Sequence, residues 1–528
     1  MSYHIARNTF LLTVVAILCM PTLAMAQSPR LTVEDAHFVD SHGRQVLLHG
    51  MNVISKSKAQ NYLSWHGPDD FAAMRRWGMN CVRLGILWDG VEPEPGKFDD
   101  AYLDGVAQRV AWAKKNGLYV FLDMHQDLYS VLYSDGAPEW ATLHEDKPHV
   151  TGSVWSDAYM VSPAVQTSFD NFWANTPAAD GVGLQDHYAA AWRHVAKRFA
   201  GESAVIGYDL MNEPFPGTAA NEIQAALLQS RFAQILAERL DGKVNSPEEI
   251  AAMWLQPEGR QQITALLDDM HVYAALVEAQ EDLSVKFERQ NLQPMYQRVT
   301  NAIRQVDQDH LILLETSYYC NSGVRCGIEP VNGLNGQRDP NQAFVPHGYD
   351  IVVDTPGLAG ASSSRVELIF KRHAETARRL DMPMIVGEWG AFGNWDERIL
   401  PSARVIQRLF EKHLCGDTYW DYGRDIQTQA YFPVLCRSLP QRIAGTLLSY
   451  QSNPETGLFT CRWEEAAHVT VPTIIYLTAG IAENVELTPK GTRYEFEFVQ
   501  GNSGPVYLII PPTGKAVDRT LTVRPTDK

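Results

Sequence analysis

The chain has 528 residues, of which 45% are hydrophobic, 20% charged and 10% aromatic, with no repeats or low-complexity linkers. That is enough to bury a large core in more than one domain. The formal net charge of −17, spread along the chain, repels polyanions and argues against nucleic acid as a partner.

The first element is residues 1–26, MSYHIARNTFLLTVVAILCMPTLAMA. Arg7 gives the positive start, Phe10 to Met20 the apolar run, and Ala24-Met25-Ala26 the small-x-small cleavage site. This reads as a signal peptide cut after Ala26, too short for a membrane span, and implies a secreted or periplasmic protein. Cys19 is preceded by Leu18 where a lipoprotein needs a small residue, which disfavours lipid anchoring. Six cysteines follow the cut: Cys81, Cys320, Cys326, Cys415, Cys436 and Cys461. In an exported chain an even number permits disulfides, and Cys320 and Cys326, flanking a short loop, are the candidate pair. No cysteine or histidine spacing fits a structural zinc, and no metal or other cofactor is expected.

From residue 31 onward apolar strands alternate with amphipathic helical stretches. The strand-like segments are Gln45 to Asn52, Asn80 to Ile86, Leu118 to Met124, Val205 to Met211, His310 to Glu315, a weaker one ending near His347, Pro383 to Gly387, and Thr418 to Trp420. Stretches such as AYLDGVAQRVAWAKKNG between them close on a glycine, as helices do. Eight short buried strands separated by helices predict an α/β fold, a parallel (β/α)8 barrel over residues 27–435. Residues 219–285 read as several helices with no strand, an insertion after strand four that can cap the barrel mouth or decorate its side. After residue 436, GLFTCRWE, TRYEFEFVQ and PVYLIIP alternate without helical period, predicting an antiparallel β-sandwich over 436–528.

Polar residues stand at the ends of nearly all these strands: His49 and Asn52, Arg83, Asp123 and His125, Asn212 and Glu213, Glu315, His347 and Tyr349, Glu388, Trp420. In a barrel of this kind the C-terminal strand ends converge on one mouth, where catalytic groups sit. Glu213, in LMNEPFPG, ends strand four; Glu388, in VGEWGAFG, ends strand seven. Two carboxyl groups across such a mouth can cleave a glycosidic bond with retention, one donating a proton to the leaving oxygen and the other attacking the anomeric carbon.

The segments LLHGMN, NCVRLGILWDGVEPEPGKFD, FLDMHQDLYS, SFDNFW, GYDLMNEPFPG, PHGYD, IVGEWG and TYWDYG span most of residues 40–425. Together they resemble glycoside hydrolase family five and, within it, the endoglycoceramidases. The resemblance implies Glu213 as acid/base and Glu388 as nucleophile. It implies Asn212 on the sugar 2-hydroxyl, Arg83 below the nucleophile, and His347 and Tyr349 orienting Glu388 and the bound ring. It further implies His125 and Asp127 on sugar hydroxyls, Trp420 as the floor of the sugar subsite, and Trp173 stacked on the sugar or the linkage. The substrate it implies is a glycosphingolipid, drawn from a micelle or membrane surface by a monomeric enzyme and split into sugar and ceramide. The apolar lipid side is then expected from Leu128, Tyr129, Val131, Leu132, Phe215 and the inserted helices. The insertion departs from the family pattern and leaves open a long glycan, a single galactose or glucose, or a steryl glucoside as the preferred substrate, and it argues against the rival reading, an endo-β-glucanase with a long open groove.

Overall fold

The structure, a computed structural model, describes residues 30–240, 246–478, 480, 481 and 484–524. The expected signal peptide lies outside the described residues.

Eight parallel strands form the barrel: β1 (His49–Val53), β2 (Cys81–Leu87), β3 (Tyr119–His125), β4 (Val205–Asp209), β5 (Leu311–Leu314), β6 (Gln342–Phe344), β7 (Ile385–Val386) and β8 (Gly416–Tyr419). Every residue in them is buried. That explains why they read as continuous apolar runs rather than alternating ones. Neighbours pair in chain order, and β8 pairs with both β1 and β7. The ring closes between β6 and β7 through a parallel bridge from Phe344 to Met384. One step further out, His347 and Gly348 pair in register with Glu388 and Trp389. The seam of the barrel therefore delivers His347 and Glu388 side by side.

The intervening helices follow local rules. The helix Asp100–Lys115 is capped by the Asp99 side chain, which accepts from Tyr102 N at 2.9 Å. It is followed by Gly117 at φ +68, a left-handed position that glycine adopts without a Cβ penalty.

The insertion forms helices Ala219–Leu228, Arg231–Arg239, Pro247–Trp254, Pro257–Leu266, Met270–Glu278 and Glu281–Phe287. It rests on the C-terminal face of the barrel. Arg260 pairs with Asp157 after β3 at 2.6 Å, the Tyr273 hydroxyl donates to Ser322 O after β5 at 2.6 Å, and Asp268 pairs with Arg365 after β6. The insertion is thus a cap rather than a peripheral decoration.

The sandwich is larger than the sequence suggested. Its four-stranded sheet is Gly445–Ser452, Phe459–Glu465, Val517–Arg524 and Asn484–Thr488. The other sheet has seven strands, and three of them, Leu31–Glu34, His37–Asp40 and Gln45–Val46, come from the start of the described chain. The run Gln45 to Asn52 is accordingly split: Gln45–Val46 pairs with the sandwich strand Leu439–Ile443, and β1 begins at His49. Leu31 and Phe38 pack with Phe121, Leu311 and Ile385, closing the barrel floor opposite the mouth. No described helix is long and apolar enough to cross a membrane.

Candidate active site

Arg83, on β2 and fully buried, is the hub of the mouth. Its Nη1 donates to Glu388 Oε1 at 2.5 Å and to Asn52 Oδ1 at 3.1 Å. Its Nη2 donates to Glu315 Oε1 at 2.7 Å and Asn212 Oδ1 at 2.9 Å, and lies 3.0 Å from Asp123 Oδ1. Nε donates to Asp209 Oδ2 at 2.9 Å. One planar cation on strand two thus orients residues from strands one, three, four, five and seven, a geometry that a lysine cannot reproduce. So many carboxylates around one cation leave excess negative charge. Burial and the nearby Glu315 charge accordingly push the Asp209 carboxyl well above the usual range.

Glu388 receives Arg83 on Oε1 and the Tyr349 hydroxyl on Oε2 at 2.9 Å. Burial, then the charges of Glu388 and Glu213, push the Tyr349 phenol well above its ordinary value, which keeps it a donor. Glu213 sits just past β4 with φ +43. Its backbone is pinned in this left-handed conformation: its N–H donates to Glu315 Oε2 at 2.8 Å, and its carbonyl accepts from Gln126 Nε2 at 3.1 Å. His347 stands between the two glutamates, with Nδ1 2.8 Å from Glu213 Oε1 and 3.6 Å from Glu388 Oε2, and Nε2 3.3 Å from Glu315 Oε1. Burial alone would lower its pKa, but Glu315 and Glu388 outweigh that and raise it well above the ordinary value. These carboxylates favour the charged form of the His347 ring. Glu213, His347 and Glu388 each offer a ligand-type atom within 4.8 Å of the others.

On one side of this pair the site is polar. His125 Nδ1 is 2.8 Å from Asp123 Oδ2, and its ring stacks on Trp420 at 5.1 Å and 15°. Its Nε2 is buried with no hydrogen-bond partner and lies 3.8 Å from Asp127 Oδ2. Asp127 is paired with Lys56, whose ammonium also lies 3.7 Å from Asp135 and 4.8 Å from the centre of the Trp420 ring. Asn212 accepts from Arg83 and donates to Gln126 O at 3.0 Å. That leaves its second amide proton for a ligand.

On the other side the walls are aromatic. Tyr159 lies 4.9 Å from both Phe215 and Tyr318, and the Tyr319 hydroxyl reaches Met160 Sδ at 3.3 Å. Phe215, Leu128 and Tyr129 are buried. Phe215, Tyr129 and Tyr159 pack together around Phe169. Leu132 stays exposed, as do Val150 and Trp155 on the segments after β3.

Trp173 and the candidate cysteine pair lie close to this region, and the cysteine expectation is corrected. Trp173 is buried against Phe172 and Phe287, and its indole N–H donates to Phe215 O at 2.8 Å. Its one donor supports the turn after Glu213, and its ring packs edge-on to Phe172 and Phe287. Cys320 and Cys326 are free thiols rather than a disulfide. Each Sγ lies near the buried Glu288 Oε1, at 3.3 and 3.4 Å, so the carboxylate holds both S–H groups.

The fold also assembles sets of metal-type donors that spacing could not reveal: His125, Asp127 and Asp135; Asp123, Asp209 and Glu315; Glu288, Cys320 and Cys326. In the first set the Lys56 ammonium already takes the cation position, and in the second the Arg83 guanidinium does. Lys56, Asp135, Asp209 and Asn321 escaped the sequence reading. Lys56 and Asn321 lie in loops beyond strand ends, and Asp209 ends a strand whose visible signal is the neighbouring Asn212-Glu213.

Comparison with known proteins agrees with this geometry. Residues 39–425 match the family described as cellulase (glycosyl hydrolase family 5). Endoglycoceramidase I of Rhodococcus hoagii (strain 103S) is 35% identical over 516 residues, covering 92% of this chain and 89% of that protein. Among solved structures, endo-glycoceramidase II from Rhodococcus sp. in its ganglioside GM3 complex aligns with a TM-score of 0.71 at 28% identity, covering 94% of this chain and 100% of that one. The lactosyl-enzyme intermediate of the same protein aligns with a TM-score of 0.69 at 28% identity, covering 93% of this chain and 100% of that one.

Proposed function

The chain belongs to glycosyl hydrolase family 5, and we propose that it cleaves the β-glycosidic bond between glycan and ceramide in glycosphingolipids. The observation that carries the reading is the pair Glu213 and Glu388, with carboxylate oxygens within 4.8 Å across His347. Retaining glycosidases place their two carboxyl groups about 5–5.5 Å apart, and inverting ones roughly 6.5–9.5 Å to admit a water.

In the first step Glu388, held by Arg83 and Tyr349, attacks the anomeric carbon. Protonated Glu213 gives its proton to the departing ceramide oxygen. This forms a glycosyl ester on Glu388 and frees the lipid alcohol. In the second step Glu213, now ionised, takes a proton from water while the water oxygen displaces Glu388, releasing the sugar with its configuration retained. Asn212 offers its free amide proton to the 2-hydroxyl, a contact that strengthens as the ring becomes oxocarbenium-like. His125, Asp127 and Lys56 line the sugar side, and Trp420 supplies its flat apolar floor. The aromatic wall around Tyr159, Tyr318 and Tyr319 suits a lipid aglycone.

The reading extends to the setting. The signal-like 1–26 supports export to the periplasm or the medium. The exposed Leu132, Val150 and Trp155 support substrate capture from a micelle or membrane. The deciding experiment incubates the mature enzyme in detergent with a ganglioside, lactosylceramide, galactosylceramide, glucosylceramide, a steryl glucoside and a soluble β-glucan. Release of intact oligosaccharide plus ceramide is the expected result. Turnover of the monoglycosylated lipids alone makes it an exo-like glycosidase, and cleavage of the glucan alone overturns the lipid reading.

A further inference from the structure

We propose that Asn321 is a positioning residue for the general acid, fixing which oxygen of Glu213 carries the proton given to the leaving lipid. The proposal rests on the reading of Glu213 as acid/base. Asn321 lies in the short turn Tyr318–Ser322 after β5 and is buried. Its Oδ1 accepts from His347 N at 3.2 Å and from Thr316 Oγ1 at 3.0 Å. A backbone N–H can only donate, so that end of the amide is the oxygen. Nδ2 is then left to donate to Glu213 Oε1, at 3.2 Å.

The same Oε1 lies 2.8 Å from His347 Nδ1, which faces carboxyl oxygens of both Glu213 and Glu388 and so carries a proton to donate. An oxygen facing two N–H donors cannot carry a proton without setting donor against donor. The proton therefore resides on Oε2, which accepts no hydrogen bond among the described residues. His347 alone cannot enforce this, because its Nδ1 also lies 3.6 Å from Glu388 Oε2. Asn321 reaches Glu213 but not the nucleophile.

The loop that presents Asn321 is fastened at both ends to one carboxylate. Ser317 N donates to Glu288 Oε1 at 2.9 Å, and Gly327 N donates to Glu288 Oε2. The Cys320 and Cys326 thiols close on the same group. Glu288 is fully buried and makes no ion pair among the described residues. Its four donors all come from the loop it anchors, so its contacts serve the placement of residues 317–327.

The test compares wild type, Asn321→Ala, Asn321→Asp and Glu213→Gln on lactosylceramide in detergent and on 2,4-dinitrophenyl β-lactoside, whose leaving group needs no proton. For Asn321→Ala, kcat on the lipid should fall about 10- to 100-fold with little change in KM, and kcat on the aryl lactoside less than about 3-fold. Asn321→Asp is nearly isosteric and keeps the acceptor for His347 N and Thr316. It sets a second carboxylate against Glu213, so the alkaline limb of kcat/KM should move up by about 0.5–1 pH unit. Equal losses of Asn321→Ala on both substrates, or an unmoved alkaline limb in Asn321→Asp, overturn the proposal. If Asn321→Ala does not fold, the Asp variant decides. If Glu213→Gln itself lacks leaving-group dependence, the acid assignment fails and the proposal falls with it. If Glu213→Gln shows that dependence and Asn321→Ala does not, only the proposal fails.

Discussion

Arg83 Nη1 lies 2.5 Å from Glu388 Oε1, inside the barrel and out of contact with water. The contact joins strands two and seven and aims the nucleophile at the mouth. Glu388→Gln keeps the shape and a carbonyl acceptor for Arg83 but cannot form the glycosyl ester. Turnover should fall at least about 10⁴-fold, while the melting temperature stays within a few degrees of wild type. Arg83→Ala should behave differently. It strands Asp123, Glu315 and Glu388 without their shared cation, and removing one partner of a buried charge cluster costs about 3–5 kcal/mol. Thermal melts beside single-turnover assays separate the two, and near-native activity in Glu388→Gln would end its assignment as nucleophile.

Glu213 is held only through Oε1 and its backbone, as suits a group that must pass a proton from the other oxygen. Glu213→Gln should slow turnover of a natural glycolipid about 10²–10⁴-fold. Formation of the glycosyl-enzyme from a dinitrophenyl glycoside should stay within about ten-fold. Added azide should rescue the second step and yield the glycosyl azide of retained configuration, because a small anion needs no general base. A glycosyl azide of inverted configuration, or no leaving-group dependence, would contradict the double-displacement scheme.

The barrel was legible because each strand is buried on both faces and its C-terminal end turns polar in phase. Glu213 and Glu388 were legible for the same reason. Lys56 was not, because it stands in ISKSKAQ between other polar residues, and only the approach of Asp127 and Asp135 from beyond β3 distinguishes it from Lys58. The strands at 31–46 were not assigned to the sandwich, since antiparallel pairing with Leu439–Ile443 spans almost 400 residues and leaves no local trace. Cysteine spacing suggested a bridge, whereas the contact that decides the arrangement is with Glu288, more than thirty residues earlier.

Lys56 supplies the charge that lets Asp127 and Asp135 share one corner of the sugar side. Burial alone would raise Asp127, but Lys56, helped by His125, pulls it down to about 2. Asp135, buried beside Asp127, is pushed up to about 6 despite Lys56. Lys56→Met should therefore cost stability at pH 7, about 1–3 kcal/mol since Lys56 is partly exposed. Part of that loss should be recovered as the pH falls from 7 to 5, where the two carboxyl groups can share a proton instead of a cation. The KM for glycolipid should rise while kcat changes less. Melting curves at the two pH values check the first claim, and a variant equally destabilised at both would refute the charge argument.

His125 gives the alkaline counterpart. Burial would lower its pKa, but Asp123, through its charge and a hydrogen bond, outweighs burial and the opposing Lys56, raising it from 6.5 to about 10. A raised imidazole contributes its full stabilisation below pH 6.5 and loses it progressively as the pH climbs to about 10. The contribution is on the order of 3–5 kcal/mol. His125→Asn keeps a donor toward Asp123 but cannot be charged. The melting temperature of wild type should exceed that of the variant by about 3–5 °C at pH 6, and the gap should narrow steadily between pH 7 and pH 10. Taking the difference between the two proteins cancels the tyrosines and cysteines that titrate in both. A gap that stays constant across this range would mean that His125 is neutral in the folded enzyme and that its buried Nε2 presents a lone pair, not a proton, to the sugar.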